Sequence, residues 1–216
     1  MVAAVAVAMA VMQLVLPGVA ARSVRDRLAQ SGTDVSVTVK AFPAVTLLWR
    51  HADEVDVRMS TYSADVGEIG KVIGEAGDAG TVHATIGTLR AGVIVAHDVR
   101  VVGHGHSFTA DATILDTDLQ KATAGILRSV TPIASTDGTL TLRGTLPIAG
   151  TTVDAAVSAL DGKIVVASSG GGGLLGLVAS LLGPVTVFSD PVVHVDSVTG
   201  GPASGGITVR TVATLR

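Results

Sequence analysis

The chain has no cysteine, which excludes disulfides, thiolate metal centres and thiol nucleophiles but suits a cytosolic and a bacterial envelope protein alike. Aromatic residues are only 2% of its 216 residues, with one Trp and one Tyr, so there are almost no platforms on which bases could stack. Basic charge is scarce as well. Fifteen Lys and Arg face 18 Asp and Glu for a net charge of -3, and without a basic footprint nucleic acid is set aside as a partner. Charged residues of both signs total 15%, against about 25% in ordinary soluble domains.

Aliphatic residues and glycine fill the space left by these absences. Apolar residues are 48% of the chain and glycines number 26, with a mean hydropathy of +0.58. The length suits one large domain or two small ones and allows a full core. Residues 2–16, VAAVAVAMAVMQLVL, are apolar except for Gln13. Followed by small residues at Val19, Ala20 and Ala21, they read as a secretion signal or anchor, or else as a buried helix, and they are short for a membrane span. Residues 17–216 then read as a single domain. Its first element is an amphipathic helix with Pro17 in the first turn, Val24 and Leu28 inward and Gly32 as the stop.

Next the period changes to two. Val35, Val37 and Val39 alternate with Ser36, Thr38 and Lys40, and Val55, Val57 and Met59 repeat the pattern, as half-exposed antiparallel strands do. Between them Phe42, Val45, Leu47, Leu48 and Trp49 form an apolar turn opened by Pro43. Two amphipathic helices are expected further on, one capped by Ser63 with Val66, Ile69 and Ile73 inward, the other capped by Asp116 or Thr117 with Leu119, Ala122, Ile126 and Leu127 inward. Val/Thr-rich segments with turn signals at Asp137-Gly138 and Asp161-Gly162 predict hairpins. The many strand glycines suggest sharp bending. The expected fold is α+β: one strongly curved antiparallel sheet wrapped around amphipathic helices.

The stretch VKAFPAVTLLWRHADEVDVRM, residues 39–59, resembles the signature of the LmeA-like family of bacterial envelope phospholipid-binding proteins. In that family a strand, a glycine-phenylalanine-proline element, an apolar turn and an Asp-Glu-Val-Asp-Val strand follow one another. The order of elements is similar over nearly the whole chain. Departures are Ala41 in place of the usual glycine, Ala44 in place of a large apolar residue, and Arg50-His51 in place of a glycine-containing turn. The resemblance implies a tubular lipid-binding-like fold, an extracytoplasmic location in the cell envelope, phospholipid and the membrane surface as partners, no cofactor and no enzymatic activity.

The residues themselves support an acyl-chain ligand. Fourteen buried methylenes at about 0.8 kcal/mol each give roughly 11 kcal/mol gross, above the lower estimates of association cost and below the higher ones. The expected lipid contacts are Phe42, Val45, Leu47, Leu48, Trp49, Val66, Ile69, Ile73, Leu119, Ile126, Leu127, Leu174, Leu177, Val178 and Leu181. Gly172 and Gly173 open an apolar helix and are candidates for contacting phosphate. His104 and His106, read as one strand face, supply two imidazoles without a third from His51, His83, His97 or His194, so no metal is expected. GHGHSF lacks the third glycine of a dinucleotide loop, and Asp53, Glu54 and Asp56 read as a solvated face. The competing functions are an envelope hydrolase, which needs a converging polar triad or metal, and a structural or partner-binding envelope domain with a solid core.

Overall fold

The computed structural model describes residues 2–44, 47, 51–65, 68, 71–74, 78–92, 94–122, 128–146, 152–170 and 184–216. The elements in order are α1 (Val2–Leu28), β1 (Gly32–Thr33), β2 (Ser36–Lys40), β3 (Ala52–Ala64), β4 (Ala79–Ala91), β5 (Ile94–His104), β6 (Ser107–Leu115), α2 (Asp116–Ala122), β7 (Ser129–Thr136), β8 (Thr139–Thr145), β9 (Thr152–Leu160), β10 (Lys163–Gly170), β11 (Val185–Phe188), β12 (Val193–Ala203) and β13 (Gly206–Leu215).

The strands form two sheets. The first has eight, in the order β1-β3-β4-β5-β6-β13-β12, with β2 also paired to β3; the second has five, in the order β11-β10-β9-β8-β7. The expected single antiparallel sheet around amphipathic helices is therefore overturned: the molecule is mostly β, and the helices do not form its centre. One pair, β3 with β4, is parallel, which requires a crossover of a dozen or more residues, here residues 65–78.

The reasons are local. Ser63, expected to cap a helix, stays in β3 and donates its N–H to the Ser31 carbonyl at 2.8 Å; beyond it, residues 71–74 are helical. The second expected helix is described over Asp116–Ala122, and Ile126 and Leu127 lie outside the described residues. At the N-terminus the helix does not start at Pro17. It runs unbroken from Val2 to Leu28 with Pro17 inside, and lies beside β2. Among the residues whose side chains are described, no helix is long and apolar enough to cross a membrane.

Alternation places the core on one face of the first sheet. Val57, Met59, Tyr62, Ile86, Ala96 and Val99 cluster with Leu28 of α1. Val39, Ala52, Ala79, Val82 and Phe108 cluster with Ala20 and Ala21 of the same helix. A Cβ at Gly103 would lie 2.5 Å from the Phe108 ring, so glycine is needed there for the aromatic to lie flat across β5.

Both predicted hairpin turns form, with positive φ at Asp137 and Gly138 and at Asp161 and Gly162. Their role extends beyond their own strands. The carbonyls of Gly138 and Gly162 accept the N–H groups of Val198 (3.1 Å) and Val195 (3.0 Å), so the tips of the second sheet cover the outer edge of β12. The glycine-rich stretch TGGPASGG, residues 199–206, is strand on both sides of a tight turn at Ser204 and Gly205.

Candidate functional site

Cross-strand ion pairs mark the polar faces of both sheets. Lys40 stands opposite Glu54, Arg210 opposite Asp111, and Arg143 opposite Asp154, with N–O distances of 2.8, 2.7 and 2.7 Å. The hydrogen bond from Lys40 holds the Glu54 carboxyl below the ordinary carboxylate range, and Arg143 does the same for Asp154. Charges fixed directly opposite one another set register and keep these faces in water. A groove of about 260 Å³ on the polar face of the first sheet is lined by Asp98, Arg100, Asp111, Ala112, Thr113, Thr208 and Val209.

The reverse face of the second sheet is different. Register pairs Leu140 with Val157 and Val157 with Val166, Leu142 with Ala155, Gly144 with Val153, and Ala159 with Ile164. Directly opposite residues share a face, so these side chains form one aliphatic surface across β8, β9 and β10. Leu140 is 1% exposed, whereas Leu142, Val153, Ala155, Val157, Ala159, Ile164 and Val166 are half-buried. At β12 this surface joins the apolar face of the first sheet, since a Cβ at Gly200 would stand 3.0 Å from Leu140 Cδ2.

The turn at residues 41–44 is the second feature. Gln13, the polar residue in the apolar run of α1, accepts the Ala44 N–H on Oε1 at 2.7 Å and donates from Nε2 to the Ala41 carbonyl at 3.2 Å. The Phe42 N–H donates to Asp53 Oδ2 at 2.5 Å. The backbone is thus held from two sides, while the Phe42 side chain is 81% exposed.

His97 supplies the third. Its Nε2 is 2.8 Å from Asp118 Oδ2 and its Nδ1 is 3.5 Å from Thr88 Oγ1, a hydroxyl, imidazole and carboxylate in line. The hydroxyl is beyond the roughly 2.6–3.2 Å at which a base takes a proton, and Thr88 is also the cross-strand register partner of His97. The arrangement fastens α2 to β5. The hydrogen bond from His97 holds the Asp118 carboxyl below the ordinary range.

Of the expected lipid contacts, Phe42 points outward, Leu47 and Ile73 pack against the Phe108 cluster, and Leu119 is half-buried on α2. Val45, Leu48, Trp49, Val66, Ile69, Ile126, Leu127, Leu174, Leu177, Val178, Leu181, Gly172 and Gly173 lie outside the described residues. His104 and His106 do not share a strand face, because His104 ends β5 and His106 sits in the turn to β6. Among the described residues no three metal-ligating side chains converge. Sequence reasoning missed the aliphatic face of β8–β10, whose signal is partial: Leu140 and Leu142 alternate with Thr and Arg, and Val153 and Val157 have Asp154 and Ser158 beside them, but Ile164 and Val166 flank the apolar Val165.

No family model matches the chain, and no curated protein matches it. A solved structure, the STAR-related lipid transfer protein of Xanthomonas axonopodis, aligns with 54% of this chain and 76% of its own at 12% identity and a TM-score of 0.19; so loose a superposition carries no argument about fold or ligand.

Proposed function

We propose that the chain is a non-enzymatic lipid-binding protein of the cell envelope that holds acyl chains against the aliphatic face of β8, β9 and β10. The observation that carries this reading is the row of half-buried aliphatic side chains from Leu142 to Val166, continuous at Leu140 with the apolar face of the first sheet. Such a surface offers mostly non-directional contacts, which suits a flexible hydrocarbon chain, with Ser168, opposite Ala155, as a polar residue on the same face. Each of the aliphatic side chains gains up to about 1.5–3 kcal/mol on full burial. The resemblance of residues 39–59 to envelope phospholipid-binding proteins supports the same ligand class, and the apolar run at residues 2–16 supports the location. The ligand lies along a sheet face in this reading, not in a tube around helices.

Native mass spectrometry of protein purified from a bacterial host, followed by lipid extraction, tests the proposal. Bound phospholipid is expected, together with uptake from vesicles that falls in Val157→Glu. A lipid-free mass with no uptake would overturn it.

A further inference from the structure

Among the described residues Asp34, Asp98, Asp137 and Asp161 have positive φ without being glycine. Asp34 lies between two strands and Asp137 and Asp161 in hairpin turns, but Asp98, at φ 51, is inside β5. The register of β5 with β6 shifts at this point, so that Asp98 and Val99 together face Ala112. That is a bulge, a device that re-aims a side chain; its left-handed position usually holds glycine, and aspartate is one of the few alternatives.

The re-aimed carboxylate borders the 260 Å³ groove on the polar face and has no cross-strand neighbour to pair with. On β4 the residue opposite is Gly87, between the pairs Ile86–Val99 and Thr88–His97. On β6 it is Ala112, whose side chain packs in the core on the other face. Arg100, two residues on, stands opposite Thr85 and Asp111. Both Asp111 oxygens are already taken by Arg210, at 2.7 and 3.1 Å. Among the described residues, then, neither Asp98 nor Arg100 has an ion pair or a side-chain hydrogen bond. Thr113 and Thr208, opposite each other, bound the groove beyond them.

We propose that this groove binds a small zwitterion with a carboxylate and an ammonium group on one carbon, an α-amino acid. The Arg100 guanidinium takes the carboxylate through two N–H donors, and the Asp98 carboxylate takes the ammonium. Charge selects this occupant. Arg210 and Asp111 cancel, and Asp98 and Arg100 leave one free charge of each sign, so an anion or a cation alone would meet a repelling group beside the attracting one. A dipolar molecule meets two attracting groups. Alternate residues of a strand are about 6–7 Å apart, and two charge-assisted contacts of about 2.8 Å span that gap when one carbon carries both charges. The groove lies on the polar face of the first sheet, so the inference does not rest on lipid binding at β8–β10.

The test is a titration of the full chain with glycine and with L-serine, followed by amide chemical shifts in NMR. Shifts confined to residues 98–100, 111–113 and 207–209 are expected, saturating at millimolar concentration. Arg100→Gln and Asp98→Asn should each weaken the binding by at least about fivefold, and asparagine keeps the tolerance for positive φ, so the bulge persists. Acetate, methylammonium and glucose should leave these amides in place. The proposal is overturned if neither amino acid moves them, if both variants bind as the unaltered chain does, or if any of the three control compounds moves them equally.

Discussion

The Asp118 carboxylate is stabilised first by the His97 imidazole at 2.8 Å and also by the Lys121 ammonium at 3.5 Å. A carboxyl held low in the folded state contributes stability above its unfolded pKa, about 3.9, and loses it as pH falls through the lower folded value. The His97–Asp118 contribution should therefore be intact at neutral pH and fade only below about pH 4. In a carbon-detected NMR titration Asp118 should show a midpoint under that of a peptide aspartate, and His97→Ala should raise it; equal midpoints in the two proteins would refute the pairing. Nothing in the local sequence announces this contact. Straight-strand alternation puts His97 opposite His104, but the register shifts between His97 and Arg100, with Asp98 at φ 51, and a bulge cancels the parity on which such reasoning depends. The exposure of Phe42 was hidden for a related reason, since an apolar turn reads the same whether it faces core or solvent.

At the scale of elements, the turns were the most legible parts. Asp-Gly pairs adopt positive φ with little strain and so predict hairpins at residues 137–138 and 161–162. Their tertiary role was not legible, because it joins Gly162 to Val195 and Gly138 to Val198, far apart in the chain. Gly162→Val would place a branched side chain at φ +77 against the His194 ring, and a loss of about 1–3 kcal/mol is expected from urea unfolding. Gly205→Ala, at φ +74 with nothing within 4 Å of its Cβ, bears only the backbone cost, about 1 kcal/mol. Equal losses would mean that the contact with β12 contributes nothing. The two expected helices are described only in part, at residues 68 and 71–74 and over Asp116–Ala122.

For the whole molecule, composition and alternation foretold abundant strands but not their division into two sheets, because sheet membership depends on long-range pairing. The second sheet is inserted in sequence between β6 and β12, and Leu140, 1% exposed, lies where it meets the first. Leu140→Ala should cost about 2–5 kcal/mol. If the two sheets form one cooperative unit, hydrogen exchange should accelerate in both β9 and β4; acceleration confined to β7–β11 would show them to be separate units. Most of the residues expected to contact lipid lie outside the described residues, and the accessible aliphatic row of β8–β10 was not among those expected, because which strand faces meet depends on long-range pairing.

The pairing of β13 with β6 brings Arg210 to Asp111, 99 residues earlier in the chain, and this bears on biosynthesis. A ribosome adding about 5–20 residues per second takes roughly 5–20 s to pass from one strand to the other. For that interval β6 has no neighbour on one side, while β7 to β11, all encoded in between, are already available to fold. The nascent chain is therefore most open to wrong partners late in translation, and a stalled or truncated product ending before residue 206 would keep that unpaired edge permanently.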